Sequence, residues 1–131
     1  MSILTSRPDK RPNRNFLFPE EQALVHKEAK MIATELRLWL PDAERDAIMR
    51  ARDAHSVMFY TEICRAIRNE YDLWLEEHHI TKIWLQAERE FPLSDGVDDH
   101  PCHPDNFSAA CMQKLWEILQ HHEGIIWKAN S

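Results

Sequence analysis

Apolar and aromatic side chains recur at alternating steps of three and four positions between Ser56 and His79, which is the period of one face of an α-helix. Further apolar residues make this face wider than the seam of a two-stranded coiled coil, so the pattern is typical of a bundle helix with two neighbours. We therefore expect this segment to form a central helix around which the rest of the chain packs. The face consists of Val57, Tyr60, Cys64, Ile67, Tyr71, Trp74 and His78, with Phe59, Ile63 and Leu75 beside it.

Two helices are predicted before this segment. The first runs from Pro19 to Leu40, because proline fits the first turn, two acidic residues follow it at the positive end of the helix dipole, and a second proline ends the helix. A second, more polar helix begins at Asp42. It either breaks between Arg52 and Ser56, with Ser56 as the N-cap of the next helix, or continues into the central helix.

Helical spacing then continues from Ile80 to Phe91. Either Thr81 caps a new helix there, or the central helix kinks and runs on. The segment from Pro92 to Pro104 has no periodicity and is about 13 residues long. Loops of this length are uncommon in compact domains and often carry function, so this loop is the first place to look for a site.

The last helix is predicted to open at Asp105 or Asn106 and to end at Gly124, a residue suited to a helix C-cap. The apolar residues that follow it, Ile125 to Trp127, are expected to fold back over the bundle. This helix completes the predicted set of elements, and no internal repeat is present in the sequence.

The composition supports helices. Gly96 and Gly124 are the only glycines among 131 residues, whereas a β-rich fold of this length needs several turn residues with positive φ. Hydrophobic residues make up 44% of the chain and charged residues 29%, which is typical of an ordinary globular domain. The predicted fold class is therefore all-α, a single-domain bundle of four to five helices over residues 19–131, preceded by a flexible basic leader over residues 1–18.

The net charge of −6 is unevenly distributed. The leader has four basic residues and one acidic residue, a charge of +3, and the remaining 12 basic and 21 acidic side chains give −9. An acidic body disfavours direct nucleic-acid binding, because phosphate contacts need a basic face. It favours instead a protein partner or self-association, and it leaves open an acidic mimic of nucleic acid that blocks a DNA- or RNA-binding partner.

The cysteines and the shortness of the apolar runs indicate the cellular compartment of the protein. Three cysteines without CxxC spacing, of which Cys64 and Cys111 lie on apolar helix faces, are typical of small buried side chains in a reducing environment. No apolar run approaches the roughly 18 residues of a membrane span, and the first residues do not resemble a secretory signal. We expect a cytoplasmic protein without a membrane partner.

The aperiodic loop contains the sharpest cluster of chemically active side chains. Imidazole and thiolate suit zinc, and two prolines stiffen the loop, which lowers the entropy lost on binding a metal. The candidate ligands are His100, Cys102 and His103, with Asp99 as a further ligand or a general base. The alternative is an ordinary polar loop with helix-capping residues, since no standard zinc spacing is present. The whole cluster is Asp98, Asp99, His100, Cys102, His103 and Asp105.

A second cluster lies where the central helix is predicted to end. Glu76 and His79 have the i, i+3 spacing that carboxylate-bridged di-iron bundles use, but that motif recurs on a second helix and here it does not. Glu117 is followed by His121 at a spacing of four, and Gln120 stands where the histidine would be needed. A polar helix end is the better interpretation of this cluster.

These observations together favour a non-enzymatic interaction protein, a cytosolic regulator, adaptor or inhibitor that presents an acidic helical surface. The alternative is a zinc-type metal-binding protein that could act as a hydrolase, centred on the loop from Asp98 to Asp105. The acidic nucleic-acid mimic is the third hypothesis. We expect no enzymatic activity and no cofactor unless zinc occupies the loop.

Overall fold

A computed structural model describes residues 9–123, with backbone alone for residues 122 and 123. Its helices are α1 (Pro19–Trp39), α2 (Asp42–Arg50), α3 (Tyr60–Glu70), α4 (His79–Glu90) and α5 (Pro104–Ile118). A short 3₁₀ turn (Ala54–Ser56) precedes α3, and a π-helical turn (Leu119–Glu123) follows α5. Residues 9–123 contain no strand and form one compact domain, so the predicted all-α class is confirmed. The expected C-cap at Gly124 and the fold-back of residues 125–127 lie outside the described residues.

Local chemistry explains where α1 begins. Pro19 occupies the first turn, and the Glu21 carboxylate accepts a hydrogen bond from the backbone N–H of Phe18 at 2.9 Å, satisfying a donor that the helix itself cannot pair. Leu40 has an extended backbone directly before Pro41, so α1 ends at Trp39 as the proline requires.

Histidines, rather than the expected threonine and acidic or amide residues, begin the last two helices. The Nδ1 atom of His78 accepts a hydrogen bond from the N–H of Ile80 at 3.1 Å, and that of His103 accepts one from Asp105 at 3.1 Å. A ring nitrogen two residues before the donor takes the place of the usual side-chain oxygen of an N-cap. Thr81 does not cap α4; its buried hydroxyl donates to the carbonyl of Leu73.

The core is organised around α5, which packs against both α1 and α3. On α5 the side chains of Phe107, Cys111, Met112 and Leu115 are completely buried. Only the middle of the predicted central helix is helical, as α3, so this segment contributes less to the core than expected. The expectation that the segment from Ser56 to His79 is one central helix is therefore wrong.

Two breaks shorten this segment. At its start, the Asp53 carboxylate accepts hydrogen bonds from the N–H and the hydroxyl of Ser56 and holds a 3₁₀ turn, which confirms the break but not Ser56 as an N-cap. At its end, Asp72 has φ of 53°, a left-handed conformation that a short polar side chain tolerates. The turn buries Leu73 and leaves Trp74 53% exposed, which reverses the expected burial.

The second half of the predicted leader contacts the bundle. Arg11 is buried and forms two hydrogen bonds to the Glu21 carboxylate, at 2.6 and 2.5 Å, and one to the carbonyl of Phe16 at 2.9 Å. Arg14 donates to the carbonyl of Phe91 at 2.6 Å. The leader thus attaches to the bundle from Arg11 onward, and residues 1–8 lie outside the described part of the chain. No helix within residues 9–123 is long and apolar enough to cross a bilayer.

Candidate functional site

The loop between α4 and α5 is held by one carboxylate. Asp98 accepts hydrogen bonds from Arg14 at 2.7 Å, from the indole of Trp84 at 2.8 Å and from the backbone N–H of His100 at 3.1 Å. Burial opposes its ionisation, but these donors outweigh burial and hold the pKa of Asp98 below its ordinary value. Asp98 therefore joins the leader, α4 and the loop as an ionised structural group.

His100 is completely buried in this loop. Its Nδ1 accepts a hydrogen bond from the N–H of Cys102 at 3.0 Å, so the neutral ring carries its proton on Nε2, which is buried and has no hydrogen-bond partner among the described residues. Burial lowers the pKa of His100 to about 4. To ligate a metal through Nε2, the proton would have to move to Nδ1 and the bond from Cys102 would be lost.

Each of the other three predicted ligands is either buried or in contact with another residue. Cys102 is completely buried, and burial raises the pKa of its thiol to about 12, whereas a metal binds the thiolate. The ring of His103 packs edge-on against Trp84, with ring centres 4.7 Å apart, besides capping α5. Asp99 accepts a hydrogen bond from Asn15 at 2.8 Å near the surface.

No group of three or more His, Cys, Asp and Glu side chains is arranged to hold a metal ion among residues 9–121, whose side chains the structure describes. The hypothesis of a zinc site at His100, Cys102, His103 and Asp99 stays a prediction that the geometry of the loop does not favour. Asn106, which sequence reasoning missed, donates from its side-chain amide to the carbonyls of Asp98 and His100, at 2.9 and 2.8 Å. The polar groups of the loop thus pair with one another and with residues of the leader, α4 and α5.

The acidic and imidazole cluster before α4 is also engaged in structural contacts. The rings of His78 and His79 stack with centres 4.7 Å apart, and Nε2 of His79 lies 3.0 Å from a carboxylate oxygen of Glu28 on α1. Burial, followed by the positive charge that His79 can carry, lowers the pKa of His78. The pair connects the start of α4 to α1, so these histidines lie at the beginning of a helix and not at the end of the central helix, as the sequence interpretation had it.

A groove between the end of α1 and the start of α3 is an apolar site that sequence reasoning did not find. It has a volume of about 190 Å³ and includes the first residues of α2 at one side. Its floor is formed by buried Leu36, Leu40 and Ile63, and it is bordered by Trp39 and Phe59, which are 48% and 43% exposed. Ala66 leaves the groove open, and Glu44 and Glu62 are the charged residues of the lining within the described part of the chain.

A hydrogen bond between α3 and α1 lies beside one wall of this groove. Tyr71, at the end of α3, donates from its hydroxyl to the Glu35 carboxylate at 2.5 Å. The Trp39 side chain, one turn after Glu35 on α1, lies close enough to this hydroxyl to lower its pKa. Burial, followed by the bond to Glu35, nevertheless raises the pKa of Tyr71 to about 12, so the hydroxyl keeps its proton at neutral pH. The bond between Tyr71 and Glu35 thus holds α1 and α3 together at this side of the groove.

A larger recess of about 530 Å³ lies beside α4. Long polar side chains of both charge signs line it, including Glu76, Lys82, Gln86 and Arg89. Gln86 donates to Glu90 at 3.0 Å and Arg89 donates to Gln86 at 2.6 Å, so these polar groups are already paired along α4. The groove between α1 and α3 remains the better candidate.

Comparison with known proteins identifies no relative: no protein-family model, no curated protein and no solved structure matches this chain.

Proposed function

We propose that this protein is a non-enzymatic interaction protein and that the groove between α1 and α3 accepts a helix of a protein partner. The groove carries the proposal, because two large aromatic side chains stand half-exposed above a buried apolar floor. Residues of this kind dominate the binding energy of protein interfaces when a partner covers them. Burial of Trp39 and Phe59 under a partner would remove apolar surface that folding leaves in water.

The size and shape of the groove suit a helix with one anchoring side chain. An apolar cavity of about 150 Å³ accommodates a benzene ring, so the 190 Å³ enclosed here fits one large aliphatic or aromatic side chain. An amphipathic helix presents such anchors one turn apart along its apolar face. The bond between Tyr71 and Glu35 joins the two helices that form the groove, and a preformed groove reduces the entropy lost on binding.

The state of the nucleophilic side chains supports a role without catalysis. Cys64, Cys102 and Cys111 are all buried and unpaired, and burial raises the pKa of each thiol above its ordinary value. A nucleophilic cysteine needs the opposite, an exposed position and a lowered pKa. Three free thiols also suit a reducing compartment, so we infer a cytoplasmic protein.

Site-directed photo-crosslinking in cells of the source organism tests the proposal. A photoreactive phenylalanine analogue replaces Glu62 in the groove, and in a control protein it replaces exposed Lys30 on α1, away from the groove. We expect a discrete protein adduct from position 62 and none from position 30, since a partner would cover only the groove.

The adduct is then checked with a matched pair of variants. Ala66→Phe fills the groove and Thr61→Phe adds the same ring to the exposed side of α3. We expect the adduct from position 62 to disappear with Ala66→Phe and to persist with Thr61→Phe. Equal adducts from positions 62 and 30, or an adduct that survives Ala66→Phe in a protein with unchanged circular dichroism, would contradict the proposal.

A further inference from the structure

The charges around the groove specify the partner. We infer that the helix bound between α1 and α3 is basic, with lysine or arginine residues flanking its apolar anchor and pairing with Glu44 and Glu62. This inference rests on the proposed function and adds the chemistry of the bound segment to it.

Among the described residues, each charged side chain of the lining is a carboxylate. Glu44 lies in the first turn of α2 and Glu62 in the first turn of α3, on either side of the apolar floor. The last turn of α1, from Leu36 to Leu40, forms another part of the lining. The negative pole of α1 and the positive poles of α2 and α3 therefore meet at the groove, so its negative potential comes from the two carboxylates rather than from the helix dipoles.

Two neighbouring arginines have partners of their own. Arg45 forms a salt bridge with Asp42 and donates to the carbonyl of Arg37 at 3.1 Å. Arg68 donates to the hydroxyl of Ser108 at 3.0 Å and lies 3.6 Å from a carboxylate oxygen of Asp105. These contacts direct both guanidinium groups to other residues, so neither of them neutralises Glu44 or Glu62.

Two other possible occupants of the groove match its charges less well. A second copy of the chain, seated symmetrically, would bring its own Glu44 and Glu62 to the same interface, and like charges at close range oppose binding. The segment after Glu123 is apolar at Ile125, Ile126 and Trp127, but it supplies a single cation, Lys128, for two carboxylates. A basic helix of another protein satisfies both the apolar floor and both charges.

The experiment selects from a displayed library of amphipathic helical peptides in which the residues flanking a fixed leucine and tryptophan face are randomised. The full-length protein is the target, and the Ala66→Phe variant removes peptides that bind elsewhere. A second target carries Glu44→Gln and Glu62→Gln, which neutralise the groove while keeping the shape of both side chains. Circular dichroism and thermal melting confirm that all targets are folded.

We expect the peptides that need an open groove to be enriched in lysine and arginine at the flanking positions. Synthetic versions should bind the Gln variant about three- to tenfold more weakly than the parent protein, and the difference should shrink at high salt. Groove-dependent peptides without this enrichment, or with equal affinity for both targets, overturn the inference and leave the proposed function standing. If no peptide distinguishes the parent from Ala66→Phe and position 62 gives no adduct, both fail.

The same experiment separates the other occupants. Recovery of groove-dependent peptides only from a full-length variant with serine at positions 125, 126 and 127 identifies the chain's own terminal segment as the occupant and overturns the inference. A dimer seen by light scattering and abolished by Ala66→Phe identifies a second copy and overturns it as well.

Discussion

The Tyr71 hydroxyl donates to the Glu35 carboxylate at 2.5 Å and joins the end of α3 to α1. Trp39 follows Glu35 by one turn on α1, so this bond lies beside the aromatic wall of the groove. The contact joins residues 36 positions apart, and it gives a first test of how the groove is built.

Replacement of Tyr71 by phenylalanine should loosen this wall. Tyr71→Phe removes the hydrogen bond to Glu35 and leaves the ring in place, so we expect a loss of about 1 kcal/mol in the free energy of unfolding. The Trp39 indole, which lies near this hydroxyl, should also become more mobile, which amide and indole NMR relaxation would detect. Tyr60→Phe, on the same helix but outside the groove lining, is the matched control for the Trp39 signal. An unchanged Trp39 signal in Tyr71→Phe would show that the Tyr71 hydroxyl does not help to position Trp39.

Arg11 should be the most important residue of the leader for stability. Its side chain and that of Glu21 are 6% and 16% exposed, so Arg11→Met leaves a nearly buried carboxylate without its partner. We expect a cost of about 3 kcal/mol in urea unfolding. Lys10→Met, at the exposed neighbouring position, should cost less than about 0.5 kcal/mol. The double variant Arg11→Met with Glu21→Met should recover part of the loss, and equal effects of the two single variants would count against a docked leader.

His100 should make the stability fall between pH 6.5 and about 4. Its pKa is about 4 in the folded protein and 6.5 in the unfolded chain, so below pH 6.5 the unfolded state binds the extra proton. The stabilisation is fully present above pH 6.5, and about 3 kcal/mol is lost by pH 4. His100→Asn, whose side-chain oxygen can accept the Cys102 N–H, should flatten this part of the curve. A parallel pH dependence of both proteins would show that other groups cause it.

Glu21 and Asp98 affect the stability at lower pH than His100 does. The pKa values of Glu21 and Asp98 lie below their ordinary values, because donors from Arg11 and from Arg14 and its neighbours outweigh the effect of burial. Their contribution to stability is present above about pH 4 and is lost as the pH falls through their folded pKa values. Measuring the free energy of unfolding as a function of pH therefore separates the effect of His100, above about pH 4, from that of the two carboxylates, below about pH 4.

The thiols should be unreactive in the folded protein. For Cys102, a pKa of about 12 against an ordinary value of 9 leaves roughly a thousandfold less thiolate at pH 8, and burial adds a barrier to the reagent. We expect Cys64, Cys102 and Cys111 to react with an aromatic disulfide reagent only as fast as the protein unfolds. Three equivalents should react at once in denaturant, which serves as the control. Rapid reaction of one thiol in the native protein would mark an accessible cysteine that this structure does not contain.

Several elements could be predicted because the residues that decide them are close in sequence. Pro19 and Pro41 bound α1 through backbone sterics that act on the adjacent residue, and the scarcity of glycine indicates helices without any tertiary information. The break before α3 was visible as an alternative, since Asp53 and Ser56 act on each other three residues apart.

The prediction for the loop from Asp98 to Asp105 was partly correct. Its composition marked it as a dense cluster of polar and imidazole groups, and the structure confirms that it is an aperiodic segment between two helices. Composition does not show which ring nitrogen of a histidine forms a hydrogen bond. The backbone conformation decides that Nδ1 of His100 and Nδ1 of His103 each accept a hydrogen bond from a nearby backbone N–H. The same residue types serve a metal or a cap, and local conformation selects between them.

The sequence by itself determined the all-α class, the proline-set ends of α1 and the acidic balance of the body, because these depend on local sterics and on summed charge. Only the tertiary structure decided which apolar residues are buried: Leu73 is buried and Trp74 exposed because Asp72 turns the chain, and Trp39 stays half-exposed because no element of residues 9–123 covers its ring. Burial depends on neighbours that are distant in sequence, so periodicity can mark an apolar face but cannot say what, if anything, packs on it.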